Sequence, residues 1–263
     1  MTRRDQMLDA LAIGPQWLRR EVAPAPPSDN PNLSLLPDTD VALVAARRSD
    51  LDNRQDSTVG GVGRHTDTEI AGMDWAALQA AVSTCTRCDL CRSRTRTVFG
   101  AGDAKAKWLF VGEGPGRNED QQGEPFVGPA GKLLDNMLAA VGMSRERDVY
   151  VTALVKCRPA NAKGGDRAPT AEEVAACRPF LERERELSGA GLVLTLGQVA
   201  ASGLLGKPLS EPLAGARGTV HRLGDVPLVA TLHPGELLRR GADKALAWAD
   251  LCRARAAADG RAG

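Results

Sequence analysis

Rings are scarce in this chain: four Phe, four Trp and one Tyr in 263 residues. Histidine is scarcer, at three, so chemistry that needs an imidazole has few places to reside. No apolar run approaches the roughly 20 residues that a membrane-crossing helix requires, which excludes such a helix. An excess of one charge is lacking too. The 34 Lys+Arg stand against 33 Asp+Glu, net +1, which excludes histone-like binding through bulk charge but not a locally basic site. Met1-Thr-Arg-Arg leads into Asp5 and Asp9 rather than an apolar core, so no signal peptide and a cytoplasmic location are expected. Thiols there stay reduced, and the six cysteines therefore point to metal or redox chemistry before disulfides. Internal repeats are also absent.

What is present is unevenly distributed. Residues 1–72 carry 8 Lys+Arg and 11 Asp+Glu, and residues 73–263 carry 26 and 22, so an acidic front hides a mildly basic body. Gln6–Arg20 has scattered apolar positions suited to a short helix. The segment from Val22 to Gly72 is rich in Pro, Asp, Ser and Gly and is expected to be mostly disordered, because it buries too little apolar surface to offset its ordering entropy. The domains expected are thus an extension over 1–72 and a folded body over 73–263.

The body alternates strand and helix. Strands are expected at Trp108–Gly112, Asp148–Val155, Leu192–Gly197, Gly218–Leu223 and Val226–Leu232. Helices are expected at Trp75–Ser83, Gly131–Val141, from the Thr170/Glu173 capping box to Leu187, just after Gly197, and at Ala242–Ala257. This order implies an α/β fold with a mainly parallel sheet covered on both faces.

Cys85-Thr-Arg-Cys88-Asp-Leu-Cys91 contains CxxC steps that each place two thiolates within reach of one metal centre, and one such step with Cys157 and Cys177 is the obvious set of four. That spacing serves zinc and an iron–sulfur cluster equally. Gly112-Glu113-Gly114-Pro115-Gly116 follows a strand at the end where α/β folds place their sites, and it lacks the Gly-Lys-Ser/Thr of a nucleotide-phosphate loop. Glu113 and Glu119 supply carboxylates there. Phe126 lies between two glycine-rich turns, Gly123-Glu-Pro and Val-Gly128-Pro-Ala-Gly131. His233-Pro234 directly follows a strand and aims an imidazole over the sheet edge. Leu237 and Leu238 beside Arg239 and Arg240 offer apolar wedges next to phosphate-seeking cations, a mix suited to entering a duplex.

Taken together, these residues resemble the family 4, iron–sulfur-containing uracil-DNA glycosylases of bacteria and archaea, over about residues 75–257. The resemblance rests on Cys85-x-x-Cys88 with Arg94-Thr-Arg-Thr-Val-Phe-Gly, Val111-Gly-Glu-Gly-Pro-Gly, Glu119-Asp120, Gly123-Glu-Pro-Phe-Val-Gly-Pro-Ala-Gly, Val155-Lys-Cys-Arg-Pro159, Cys177, Leu196-Gly and Leu232-His-Pro. It implies a three-layer α/β/α sandwich with a small central sheet. It also implies a [4Fe–4S] cluster on Cys85, Cys88, Cys157 and Cys177, leaving Cys91 and Cys252 spare. The expected partner is DNA containing uracil, single- or double-stranded, bound by a monomer away from any membrane. Flipping and hydrolysis would then use Phe126 to stack on the base, His233 to hydrogen-bond the departing carbonyl, and Glu113 or Glu119 to position water. Backbone amides around Gly114 would complete the pocket.

Two segments depart from the family pattern. Ala153 stands where relatives carry the Asn that reads the uracil edge, and the loop Asn161–Pro169 is longer, with Asn161 and Asp166 both candidates for the family loop Asn. The expected function is uracil excision. The alternatives are a glycosylase for another deaminated base, or a cluster-bearing DNA-binding protein with weak or no uracil excision whose acidic extension contacts an unidentified protein.

Overall fold

The structure is a computed structural model that describes residues 63–260. The chain separates into two units, Met1–Gly60 and Gly61–Gly263. The expected helix over 6–20 and the linker up to residue 62 lie outside the described residues.

Six strands form one sheet: β1 (Ala101–Gly102), β2 (Trp108–Gly112), β3 (Val149–Ala153), β4 (Leu192–Leu196), β5 (Val220–Leu223) and β6 (Val226–Thr231), in the order β1-β3-β2-β4-β6-β5. The inner four are parallel, and the short edges β1 and β5 are antiparallel. Every residue of β2, β3 and β4 is buried, because helices cover both faces; hence these strands read as unbroken apolar runs. Side chains alternate between faces. Leu109, Val111 and Val193 enter one core, and Trp108, Phe110, Leu192 and Leu194 enter the other.

Helices α1 (Asp67–Ala71), α2 (Trp75–Thr84), α5 (Ala171–Ser188) and α6 (Gln198–Leu205) contribute to the first core; α4 (Gly128–Ala140), α7 (Pro234–Arg239) and α8 (Lys244–Ala258) contribute to the second. The short α3 (Arg117–Gln122) buries only Asp120. The result is the expected three-layer sandwich. At the head of α5 the capping box forms as the sequence indicates: Glu173 N donates to Thr170 Oγ1 at 3.3 Å, and Thr170 N donates to Glu173 Oε2 at 2.8 Å.

The expected boundary at 72/73 falls too late. Thr66 and Glu69 cap α1 reciprocally, and Ile70 is fully buried in the core under α5. Arg87 secures the segment through Asp67 at 2.5 Å and the His65 carbonyl. Ile70→Ala is expected to lower stability by about 2–5 kcal/mol; an unchanged urea midpoint would show that α1 only rests on the surface.

Between β3 and α5 lies a fully buried ion pair. Lys156 Nζ donates to Glu184 Oε2 at 2.6 Å, Thr152 Oγ1 at 2.5 Å and the Ala153 carbonyl at 2.9 Å. Glu184 also accepts from Gly100 N, the Tyr150 hydroxyl and the Thr152 hydroxyl. With its polar groups matched, the pair escapes the penalty of unpaired buried charge and ties the end of β3 to α5.

Candidate active site and thiol cradle

The C-terminal ends of the parallel strands bring Glu113, Ala153, Gly197 and His233 to one edge of the sheet. After β2 the chain moves first to β3 on one side and then to β4 on the other, so this edge contains the switch point at which open α/β sheets bind ligands.

Phe126 roofs that edge. Its ring lies so close over the end of β2 that a Cβ at Gly112 would come within 2.7 Å of it; glycine is what admits the ring. The His233 imidazole faces it at 5.6 Å between centroids, tilted by 33°. Ala153 pairs in register with Gly112, so both positions point to the same face, the one on which Phe126 lies. Gly114 packs against Val155, where a Cβ would approach Cγ2 to 2.7 Å.

The two glutamates separate by environment. Glu119 accepts Gly116 N at 3.1 Å on one oxygen and Val127 N at 3.0 Å on the other. It therefore joins the glycine loop to the Phe126 loop. Glu113 makes no hydrogen bond to a described residue, and burial, reinforced by the charge of Glu236, raises its pKa. In the sequence Glu236, one helical turn past His233, stands out only as a departure from the family pattern, which commonly has an aromatic there; its charge acts on both Glu113 and His233.

His233 is the N-cap of α7, and its Nδ1 accepts Gly235 N at 3.1 Å. A ring nitrogen that accepts carries no proton, so the neutral imidazole holds its proton on Nε2. Burial lowers the His233 pKa; Glu236 works against that shift and Arg239 with it. A neutral imidazole with its proton on Nε2 and a carboxylate whose pKa is raised thus share one edge of the sheet, both under the charge of Glu236, a combination that separates donor and base roles.

One part of the expected duplex-entering surface needs correction. Leu237 is 1% exposed and belongs to the second core, whereas Leu238 is 48% exposed. Adjacent helical residues point about 100° apart, so the core takes one and solvent the other. Arg239 and Arg240 are exposed. In the longer loop the two candidates differ in their contacts. Asn161 Oδ1 accepts Lys163 N and Gly165 N and so braces its own turn. Asp166 pairs with Arg158 at 2.6 Å and lies beside Gly116.

Away from this edge, Cys85, Cys88, Cys91, Cys157 and Cys177 line one cavity with Arg94, Val82, Leu90 and Phe180. Burial pushes the Cys157 thiol up to about 11 and the Cys177 thiol up to about 12. N–H donors face the sulfurs: Arg94 Nη1 to Cys157 at 3.2 Å, Lys156 N to Cys177 at 3.3 Å and Arg87 N to Cys85 at 3.5 Å. Cys252 is exposed on α8, apart from the cavity. Although the thiols share a cavity, no three His, Cys, Asp or Glu side chains among the described residues converge on a single-ion site.

Fold and edge together define an α/β sandwich that gathers a phenyl ring, an imidazole and a carboxylate at its switch-point edge. The profile of the Uracil DNA glycosylase superfamily matches residues 99–252. A Type-4 uracil-DNA glycosylase of Archaeoglobus fulgidus is 41% identical over 165 residues, covering 60% of this chain and 80% of the relative. One from Thermotoga maritima is 43% identical over 160 residues, again 60% of this chain and 80% of the relative. A Type-5 uracil-DNA glycosylase of Pyrobaculum aerophilum is 31% identical over 150 residues, 52% of this chain and 64% of the relative. This chain belongs to the uracil DNA glycosylase superfamily, within its type-4 family.

Proposed function

We propose that this chain is a DNA-repair glycosylase that hydrolyses the N-glycosidic bond of uracil after the nucleotide has been flipped out of the stack. The observation that carries this reading is the pairing at the sheet edge: a donor-bearing neutral His233 facing the Phe126 ring, with Glu113 uncommitted nearby. Phe126 stacks on the extruded base. His233 Nε2–H hydrogen-bonds the carbonyl on which charge builds as the base leaves, and Glu113 orients water and favours the cationic sugar. Glu119 fixes the two loops, Gly114 and Ala153 line the pocket, Leu238 enters the stack, and Arg239 and Arg240 take phosphates. Incubation with uracil-bearing single- and double-stranded oligonucleotides, followed by cleavage of abasic sites, tests the assignment. DNA bound without loss of uracil would refute it.

Because Glu113 acts ionised in this scheme, the rate should fall as pH drops through its raised pKa, giving an acid limb above that of an ordinary glutamate. Glu236→Gln removes the neighbouring charge and should move that limb to lower pH; an unmoved limb in a pH–kcat profile would place the titrating group elsewhere.

In the same proposal, Cys85, Cys88, Cys157 and Cys177 hold a [4Fe–4S] cluster. The N–H groups aimed at sulfur suit thiolates. Bound there, the group supplies a cross-link among α2, β3 and α5 rather than chemistry at Glu113. A cytoplasmic monomer, with an N-terminal extension free to meet another protein, completes the proposal.

A second reading, weak uracil excision or preference for another deaminated base, is favoured by one observation: at Ala153 the pocket face offers a methyl group in place of an amide. Restoring the amide should help a uracil site. Ala153→Asn is expected to raise uracil excision about 5- to 150-fold, the equivalent of about 1–3 kcal/mol of base discrimination. A simultaneous loss of hypoxanthine or xanthine release in that variant would favour the second reading, and a lower kcat/KM for uracil would oppose it.

A further inference from the structure

Phe126 adopts φ 52°, the left-handed region, which an L side chain enters only against steric resistance. Something must hold it there, because the same peptide sets the ring over Gly112 and opposite His233. Two contacts surround its carbonyl. Gly131, in the first turn of α4, approaches so closely that a Cβ there would lie 1.8 Å from the Phe126 oxygen. Arg145, in the turn after α4, spreads its guanidinium over the loop: Nη1 donates to the Pro125 carbonyl at 2.8 Å and Nη2 to the Phe126 carbonyl at 2.8 Å. Its remaining edge is fixed from behind, Nε donating to Asp135 Oδ1 of α4 at 2.7 Å. The next residue, Val127, is held from the opposite side through its amide by Glu119.

The geometry points to Arg145, backed by Asp135, as the positioning residue that locks the Phe126 peptide and so sets the plane in which the flipped base stacks against the His233 donor. This rests on the glycosylase reading above. Arg145 touches no reacting atom. Its planar fork satisfies two successive carbonyls while a third N–H is anchored, which an ammonium cannot reproduce. Displacing a positioning wall by about 1 Å costs up to about 10²-fold in rate, so the effect should appear in the chemical step and not in DNA affinity, which comes mainly from phosphate contacts.

Arg145→Gln is therefore expected to slow single-turnover uracil release about 10- to 100-fold, with the Kd for uracil-free DNA unchanged. Arg145→Lys should recover part of the loss, and Asp135→Asn should show a smaller one. The deciding measurement is the cycle with Phe126→Ala. If Arg145 acts through the ring, Arg145→Gln adds nothing once the ring is gone; the same fold-loss in both backgrounds overturns the assignment. An activity-free readout accompanies it. The His233 Cε1 proton resonance in the intact holoprotein should shift in Arg145→Gln and in Phe126→Ala, while those of His65 and His221 stay in place. An unshifted His233 signal in a folded Arg145→Gln protein overturns the assignment even if the wild type releases no uracil, a result that would instead defeat the glycosylase reading. Should Arg145→Gln fail to fold, Arg145→Lys and Asp135→Asn carry the same two measurements.

Discussion

Replacing His233 with alanine is expected to cut uracil excision about 10²–10³-fold, the range found when one preorganised donor to a developing oxyanion is removed. The difficulty is that His233 also caps α7 through Gly235 N, and loss of an N-cap alone costs about 0.5–2 kcal/mol. His233→Asn separates the two roles. Asparagine is among the best N-caps, so its side-chain oxygen can take over the Gly235 bond while no donor remains where Nε2 stood. Stability should then stay near wild type while excision stays as low as in the alanine variant. Recovery of the rate in His233→Asn would mean that the imidazole acts only as a cap. Folding linkage gives an independent check. Because burial lowers the His233 pKa in the folded state, the unfolded chain binds this proton more readily. Its contribution to stability is thus complete above the unfolded histidine value of about 6.5 and declines as pH falls below it. His233→Asn should remove that part of the slope.

Both the duties of these residues and their legibility follow from how locally each is determined. Strand β2 matches its expected bounds to the residue and β4 ends one residue before its own, because a run buried on both faces is apolar at every position and stops abruptly at glycine. The Thr170/Glu173 box is equally local, being complete within four residues. Helix α1 was not legible: five residues with one buried isoleucine carry no period, and the surrounding polar composition suggested linker. The same shortness hid the phase of α7, so Leu237 and Leu238 looked alike until the core took the first.

The site was legible as a set of residues more than as a set of tasks. Glu113 and Glu119 are equivalent on paper, yet two backbone amides from separate loops occupy Glu119 and leave Glu113 open. Arg145 carried no signal at all, because its partners are carbonyl oxygens 19 and 20 residues away, and every residue has a carbonyl. The substitution at Ala153 was visible in sequence through resemblance. Its consequence was not, because it depends on the register that sets Ala153 beside Gly112, on the face where the Phe126 ring lies.

Loss of a cluster ligand is expected to be the most damaging change to the protein as a whole. The four thiols come from the end of α2, the segment just after it, the stretch following β3 and the second turn of α5, so a shared group would bind together parts far apart in sequence. A cross-link of such span is worth about 2–5 kcal/mol by the standard of a disulfide. With about 2–4 °C of Tm for each kcal/mol in a chain of this size, Cys177→Ser should lower Tm by about 4–20 °C. Prepared without oxygen, the wild type should be brown with about four irons per chain; Cys177→Ser and Cys157→Ser should lose colour and iron together. Uracil excision should fall with them, although no thiol reaches Glu113 or His233, because Lys156, next to Cys157, holds the Ala153 carbonyl at the pocket. Cys91 is the discriminating control, since it lines the same cavity as the four proposed ligands. Cys91→Ser and Cys252→Ser should keep iron, colour and activity. Iron lost from Cys91→Ser but kept in Cys88→Ser would exchange the two in the ligand set, and stoichiometric zinc without iron in the wild type would remove the cluster altogether.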